Sequence, residues 1–210
     1  MKILITFLSL AFFGSDYLLL KDCEKESVAN KLEIVIISDI FEYLDETKEN
    51  LEESVNNLSE EQLTFKPDEE SWSVAQIVEH IVIVEGALKE MLENKIEDGE
   101  DLDLKTEVVL TDDQVVGMIT DRSTQIQTQE QFIPTAKFTE ADEALEAFND
   151  QRENIVDWLK DSEVDMRNYI NEFPFGKIDA YQTMLFMAGH TQRHTEQIKE
   201  LKSHPDFPES

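Results

Sequence analysis

The sequence predicts an all-α protein, a bundle of four long helices, and three observations carry that reading. Only six glycines and five prolines punctuate 210 residues, and the stretches between them are rich in Glu, Leu, Ala, Gln and Lys, which cost little in a helix. Apolar residues recur at three- and four-residue spacing in four separate stretches. A chain of this length, 40% hydrophobic, buries one substantial core, and no break in composition between Ile40 and Leu201 asks for a second.

The first helix begins near Ile40 and carries Leu44, Leu51, Val55 and Leu58 on one face, with Glu46, Lys48, Glu49, Glu52 and Glu53 filling much of the rest. Ser59–Ser73 reads as a connector, because Pro67 stops any helix there. Ser73 and Gln76 form a capping box that opens a second helix just after Trp72. Its apolar arc is Val74, Ile77, Val78, Ile81, Val84, Leu88 and Met91, and His80 lies at the edge of that arc. Glu97–Asp103 is acidic, contains Gly99 and has no period, so it reads as a loop. A short extra helix follows from Asp112 to about Ser123, with Thr111 as its cap. Gln127–Thr139 is irregular and contains Pro134.

Thr139 is the expected cap of the third long helix, whose stripe is Ala141, Leu145, Phe148, Ile155 and Leu159. Asn171–Gly176 is a turn rich in breakers. Asp179 with Gln182 caps the last helix. Its first half, Tyr181–Gly189, is apolar nearly all round and so belongs at the centre of the bundle. Its second half sets His194, Ile198 and Leu201 opposite Glu196, Lys199 and Glu200.

The ends are distinct from this domain. Lys2 and the apolar run Ile3–Phe13 have the form of an export leader, too short to span a bilayer comfortably. Residues 1–23 are therefore expected to be a leader or an N-terminal anchor, residues 38–203 the bundle and residues 204–210 a polar tail. The expected location is exported, periplasmic or membrane-anchored, or cytoplasmic if the apolar segment is not a working signal. Gly14-Ser15-Asp16 lacks the small-x-small exit, and Lys21-Asp22 before Cys23 speaks against a lipid anchor.

Forty-seven acids against eighteen bases give a formal charge of −29. Such a field repels phosphate backbones and anionic headgroups, so nucleic acid is not an expected partner. One cysteine, Cys23, excludes an internal disulfide and any multi-thiolate metal site. A metal on this chain would sit on nitrogen and oxygen.

His190 and His194 are four residues apart, which on a helix places them about 40° apart in azimuth and about 6 Å apart along the axis. Both share a face with Met187, Ile198 and Leu201, so both rings look inward. Such a pair is open to two readings, hydrogen-bonded packing or metal ligation. A third inward histidine, His80 on another helix, is the candidate that completes a three-nitrogen site for one divalent ion with positions left open. The residue after His190 is Thr191, where a zincin protease needs Glu, and Met187 and Thr191 stand where a di-iron bundle needs acids. One mononuclear ion fits better. Three neutral imidazoles leave its double charge intact, which suits either activation of water for hydrolysis or stabilisation of a thiolate.

At these positions the sequence resembles the DinB-like metal-binding four-helix bundles. The resemblance runs from Leu58-Ser-Glu-Glu-Gln-Leu63 and Phe65-Lys-Pro67 through Ser71-Trp-Ser73 and Glu79-His-Ile81. It ends in Asp179-Ala-Tyr-Gln182 and His190-Thr-Gln-Arg-His194-Thr-Glu-Gln-Ile198. It implies an up-down-down-up bundle and a metal triad of His80, His190 and His194. The implied cofactor is one divalent metal ion, zinc or nickel. The implied activity is that of a metal-dependent enzyme on a small-molecule substrate. That is either a transferase or isomerase using a low-molecular-weight thiol, as in bacillithiol S-transferases and mycothiol-dependent isomerases, or a hydrolase. The alternative is a noncatalytic metal-binding or stress-response bundle, with a homodimer formed through exposed helix faces.

Other residues have two readings each. Trp72 is expected to pack as a staple ahead of its helix, the alternative being a place at a pocket mouth. Arg152, on the apolar stripe of the third helix, is expected to have a buried stem and a paired head, the alternative being a clamp on a substrate carboxylate. Gln197 and Glu79 are either ordinary surface residues or acceptors that orient the histidine rings. Tyr181 is expected to pack, with proton donation near the ion as the alternative. His204 belongs to the polar tail.

Overall fold

In the computed structural model, residues 39–123 and 127–209 are described. The expected leader and Cys23 lie outside them. No helix among the described residues is long and apolar enough to cross a membrane.

Local capping chemistry sets most of the element boundaries. The Asp39 side chain accepts from the Phe41 N–H and opens α1 (Ile40–Val55). The connector that follows contains a single helical turn, α2 (Glu60–Thr64), with its own Ser59/Gln62 capping box. Ser73 and Gln76 form the expected box at the head of α3 (Val74–Asp98). This helix takes in the first two residues of the expected loop, Glu97 and Asp98, and stops at Gly99, whose φ of +102° is costly for any residue with a Cβ. Thr111 and Gln114 cap α4 (Asp112–Thr120). Glu140, not Thr139, precedes α5 (Ala141–Asp161) and makes no side-chain cap bond. Asp142 and Glu143 in its first turn complement the helix dipole instead. Asp179 and Gln182 box the start of α6 (Ala180–Lys202).

The segment expected to be a simple turn is a hairpin. Strands β1 (Ile170–Phe173) and β2 (Gly176–Asp179) pair antiparallel, Ile170 opposite Asp179 and Phe173 opposite Gly176. Pro174 and Phe175 make the two-residue loop. The breakers were legible, but strands of four residues are too short to show a period of two.

Each of α1, α3, α5 and α6 packs on two of the others, closing a ring in the order α1, α6, α3, α5. The fold is thus a four-helix bundle in which neighbours in sequence are not always neighbours in space. The short α4 lies on α6 at Gly189, where a Cβ would come within 2.5 Å of Ile119 Cγ2.

The core is divided along the helices into two apolar clusters. One holds Leu44, Leu88, Ile155 and Met184. The other holds Leu51, Ile77, Phe148 and Ile198. Between them on every helix sits a buried polar residue: Thr47 on α1, Glu85 on α3, Arg152 on α5 and Thr191 on α6. Arg152 is 1% exposed and Glu85 0%. The guanidinium forks onto the Glu85 carboxylate and donates to the Leu44 carbonyl, to Thr47 Oγ1 at 3.0 Å and to Thr191 Oγ1 at 3.1 Å. The Thr191 hydroxyl in turn donates to Glu85 at 2.6 Å. Arg152 therefore has the buried stem and paired head expected of it, with five hydrogen bonds made inside the bundle.

The C-terminal residues are tied down. Phe65 packs on the His204 and Phe207 rings, with centroids 5.8 and 5.4 Å apart, and Gln62 Nε2 donates to the Pro208 carbonyl at 2.9 Å.

Candidate metal centre

Two turns of α6 and one of α3 bring His80, His190 and His194 together. One ring nitrogen from each lies within 4.8 Å of the others. The ring centroids are 5.1 Å apart for His80–His190, 4.8 Å for His80–His194 and 4.5 Å for His190–His194. The i, i+4 spacing aligns the α6 pair, and packing of α3 against α6 supplies the third ring. His80 and His190 are buried and His194 is half-buried.

Burial away from water disfavours the charged imidazolium in all three rings. It pushes His194 down to about 3, with proximity to His80 adding to the effect. It holds His190 well below its ordinary value, with His194 and His80 contributing. His80 is lowered by burial against the opposing effect of its bond to the Phe132 carbonyl. At neutral pH the cluster is three neutral imidazoles, the form that ligates.

The hydrogen bonds say which nitrogens are available. His80 Nδ1 lies 2.8 Å from the Phe132 carbonyl oxygen, which only accepts, so Nδ1 carries the proton and Nε2 keeps its lone pair. His194 Nδ1 donates to Gln197 Oε1 at 2.8 Å, freeing its Nε2. That Nε2 stands 3.2 Å from His190 Nε2. His190 Nδ1 is buried without a hydrogen-bond partner. Packed histidines normally find a polar partner for each ring nitrogen. His190 finds only another imidazole, at its Nε2. The donor set therefore fits a divalent ion.

An open cleft of about 680 Å³ reaches His194, with Trp72, Arg122, Ile133, Arg193 and Gln197 among its walls. Trp72 packs against the apolar cluster around Ile77, lies tilted against His80 at 4.8 Å between centroids and lines the cleft, so its two expected roles coincide. Arg122 forks onto Glu200 and donates to the Arg193 carbonyl. His204 lines the same cleft. On the other side Phe186 stacks on His190 at 6.4 Å and on the hairpin residue Phe175 at 5.7 Å, and meets Phe173 at a tilt at 5.3 Å.

Gln197 thus orients a ring directly, while Glu79 bonds to the chain at Thr135 and Lys137 instead. Tyr181 lies about 13 Å from His190 along the α6 axis and packs beneath the Arg167 guanidinium, 4.1 Å from its ring. It is not part of the centre. The Phe132 carbonyl and Phe186 were not foreseen. The signal available for the first was an apolar Phe132-Ile133-Pro134 in an otherwise polar, aperiodic stretch.

A four-helix bundle with three converging neutral imidazoles, one of them lining an open cleft, defines a class of helical proteins able to hold a metal. Within that class the chain belongs to the DinB superfamily, whose profile matches residues 43–198. It is 21% identical over 149 residues to the uncharacterized protein YuaE of Bacillus subtilis (strain 168), an alignment covering 70% of this chain and 88% of that one. Its fold is similar to that of YfiT from Bacillus subtilis, with a TM-score of 0.52 and 15% identity over 78% of this chain and 83% of the other. YfiT is described as "a probable metal-dependent hydrolase with an unusual four-helix bundle topology".

Proposed function

We propose that His80, His190 and His194 hold one divalent metal ion and that the protein is a metal-dependent hydrolase of a small molecule bound in the adjoining cleft. The observation that carries this is the state of the three rings. They are neutral and converge within 4.8 Å, and His190 is left with no hydrogen-bonding partner outside the cluster. A divalent ion supplies Lewis acidity at such a site, polarising a scissile carbonyl or phosphoryl group and making water acidic enough to react near neutral pH.

The chain's own residues do the rest. Phe132 and Gln197 hold two rings in the tautomer that leaves Nε2 free. Trp72, packed against His80, gives the cleft an apolar wall against which the non-reacting part of a substrate can lie. The likeness to YfiT supports hydrolysis over thiol transfer.

Elemental analysis of protein purified without a histidine tag tests the metal, and a panel of ester, amide and phosphoester substrates tests the reaction. One ion per chain, lost in His80→Ala together with turnover, is the expected result. Unmutated protein that takes up no ion would overturn the proposal. An ion with thiol conjugation but no hydrolysis would move the assignment to thiol transfer. An ion with neither activity would move it to a noncatalytic binding protein.

A further inference from the structure

Glu79 and His80 are consecutive on α3, so their side chains leave the helix about 100° apart. Both nevertheless grip one irregular segment. His80 Nδ1 donates to the Phe132 carbonyl at 2.8 Å. Glu79 Oε1 accepts from the Thr135 N–H at 2.9 Å and from the Thr135 hydroxyl at 2.7 Å, and Oε2 accepts from the Lys137 N–H at 2.9 Å. Glu79 is 5% exposed. A carboxylate so far from water is costly unless its lone pairs are filled, and here three charge-assisted bonds fill them.

The segment needs that hold. Pro134 has no N–H to offer a helix or sheet, and Ala136 has a φ of +62°, a left-handed conformation that a residue with a Cβ rarely adopts. No regular hydrogen-bond ladder keeps residues 133–137 in place. The Glu79 carboxylate straddles Ala136 by binding the residues on either side of it, which stabilises the left-handed turn. Just upstream, the same turn presents the Phe132 carbonyl to His80.

We infer that Glu79 is a positioning residue for the histidine cluster: by clamping Thr135 and Lys137 it holds the Phe132 carbonyl against His80, fixing that ring with its proton on Nδ1 and its Nε2 free. The inference rests on the histidine cluster being the functional site, and it concerns a residue that touches none of the three rings through a hydrogen bond of its own carboxylate.

The test reads the tautomer directly. Long-range proton–nitrogen spectra of 15N-labelled, metal-free protein, taken above the free imidazole value of about 6.5, report which nitrogen of His80 is protonated. The unmutated protein should show a proton on Nδ1. Glu79→Gln, which turns an amide NH2 toward one of the backbone donors, and Glu79→Ala should both show a mixture of tautomers. Zinc affinity, measured by competition with a chelator, should fall about 10- to 100-fold in Glu79→Gln. Ser73→Ala removes the cap of the same helix and lowers stability without touching the segment, so it should leave tautomer and affinity unchanged. A His80 that stays on the Nδ1 tautomer in both Glu79 variants overturns the inference, as does an equal loss of affinity in Ser73→Ala. If unmutated protein takes up neither zinc nor nickel, the metal reading falls while the tautomer spectra still decide this one.

Discussion

Replacing Arg152 by Met tests the polar layer that divides the core. Arg152 and Glu85 are 1% and 0% exposed, so the substitution leaves a carboxylate in the interior that keeps its bond from the Thr191 hydroxyl but loses the guanidinium. The five hydrogen bonds of the guanidinium go with it, including those that satisfy the Leu44 carbonyl and Thr47. Removing one partner of a buried pair typically costs about 3–5 kcal/mol, because the other charge is stranded. For a domain of this size that corresponds to a melting temperature about 6–20 °C lower. Removing both charges removes the stranding, so Arg152→Met/Glu85→Leu should recover most of the loss. Urea unfolding of the wild type, both single variants and the double variant closes a thermodynamic cycle. If Arg152→Met lies within about 1 kcal/mol of the unmutated protein, or if the two single losses simply add, the layer is not the coupled unit described here.

Gly189→Ala should destabilise the protein by about 1–3 kcal/mol through overpacking, because its Cβ would meet the β-branched Ile119 at 2.5 Å. Adding Ile119→Ala should recover part of that in thermal melts, and no recovery would show that the close approach of α4 is not the cause. Acidification probes the neutral rings. His194 is held down to about 3, whereas imidazoles of the unfolded chain take up protons at about 6.5. Between those values the unfolded state binds more protons, so the ring's contribution is intact above about 6.5 and is lost as the pH falls toward about 3. Urea midpoints of metal-free protein at about pH 8 and about pH 5 should therefore fall more in the unmutated chain than in His194→Gln. An equal change in the two would refute the shift.

The parts of this protein legible in one dimension are those whose cause is local. Three of the helix starts came from side chains bonding to a backbone three residues away, Ser73 with Gln76, Thr111 with Gln114 and Asp179 with Gln182. The shared face of His190 and His194 came from helical pitch. The same logic failed at Thr139, where no side-chain cap exists and first-turn acids serve instead. It failed also at the Asn171–Gly176 turn, whose flanking strands are stabilised by pairing across the hairpin and not by a pattern of their own.

Beyond the α6 pair and its Gln197 bond, what makes the histidines a site depends on partners far apart in the chain. His80 meets the Phe132 carbonyl 52 residues on, Glu79 reaches Thr135 across 56 residues, and Arg152 meets Glu85 across 67. Periodicity identified Arg152 as buried and Glu79 as a neighbour of a ligand candidate, but it left both with two readings. The reason is physical: a buried charge is settled by which group fills its lone pairs or satisfies its protons, and that group is chosen by the packing of helices. Local bonding and helical pitch thus define the four helices and turn the rings inward. Tertiary packing decides that His80 joins the α6 pair, that its Nε2 is the free nitrogen, and that His194 lines a cleft.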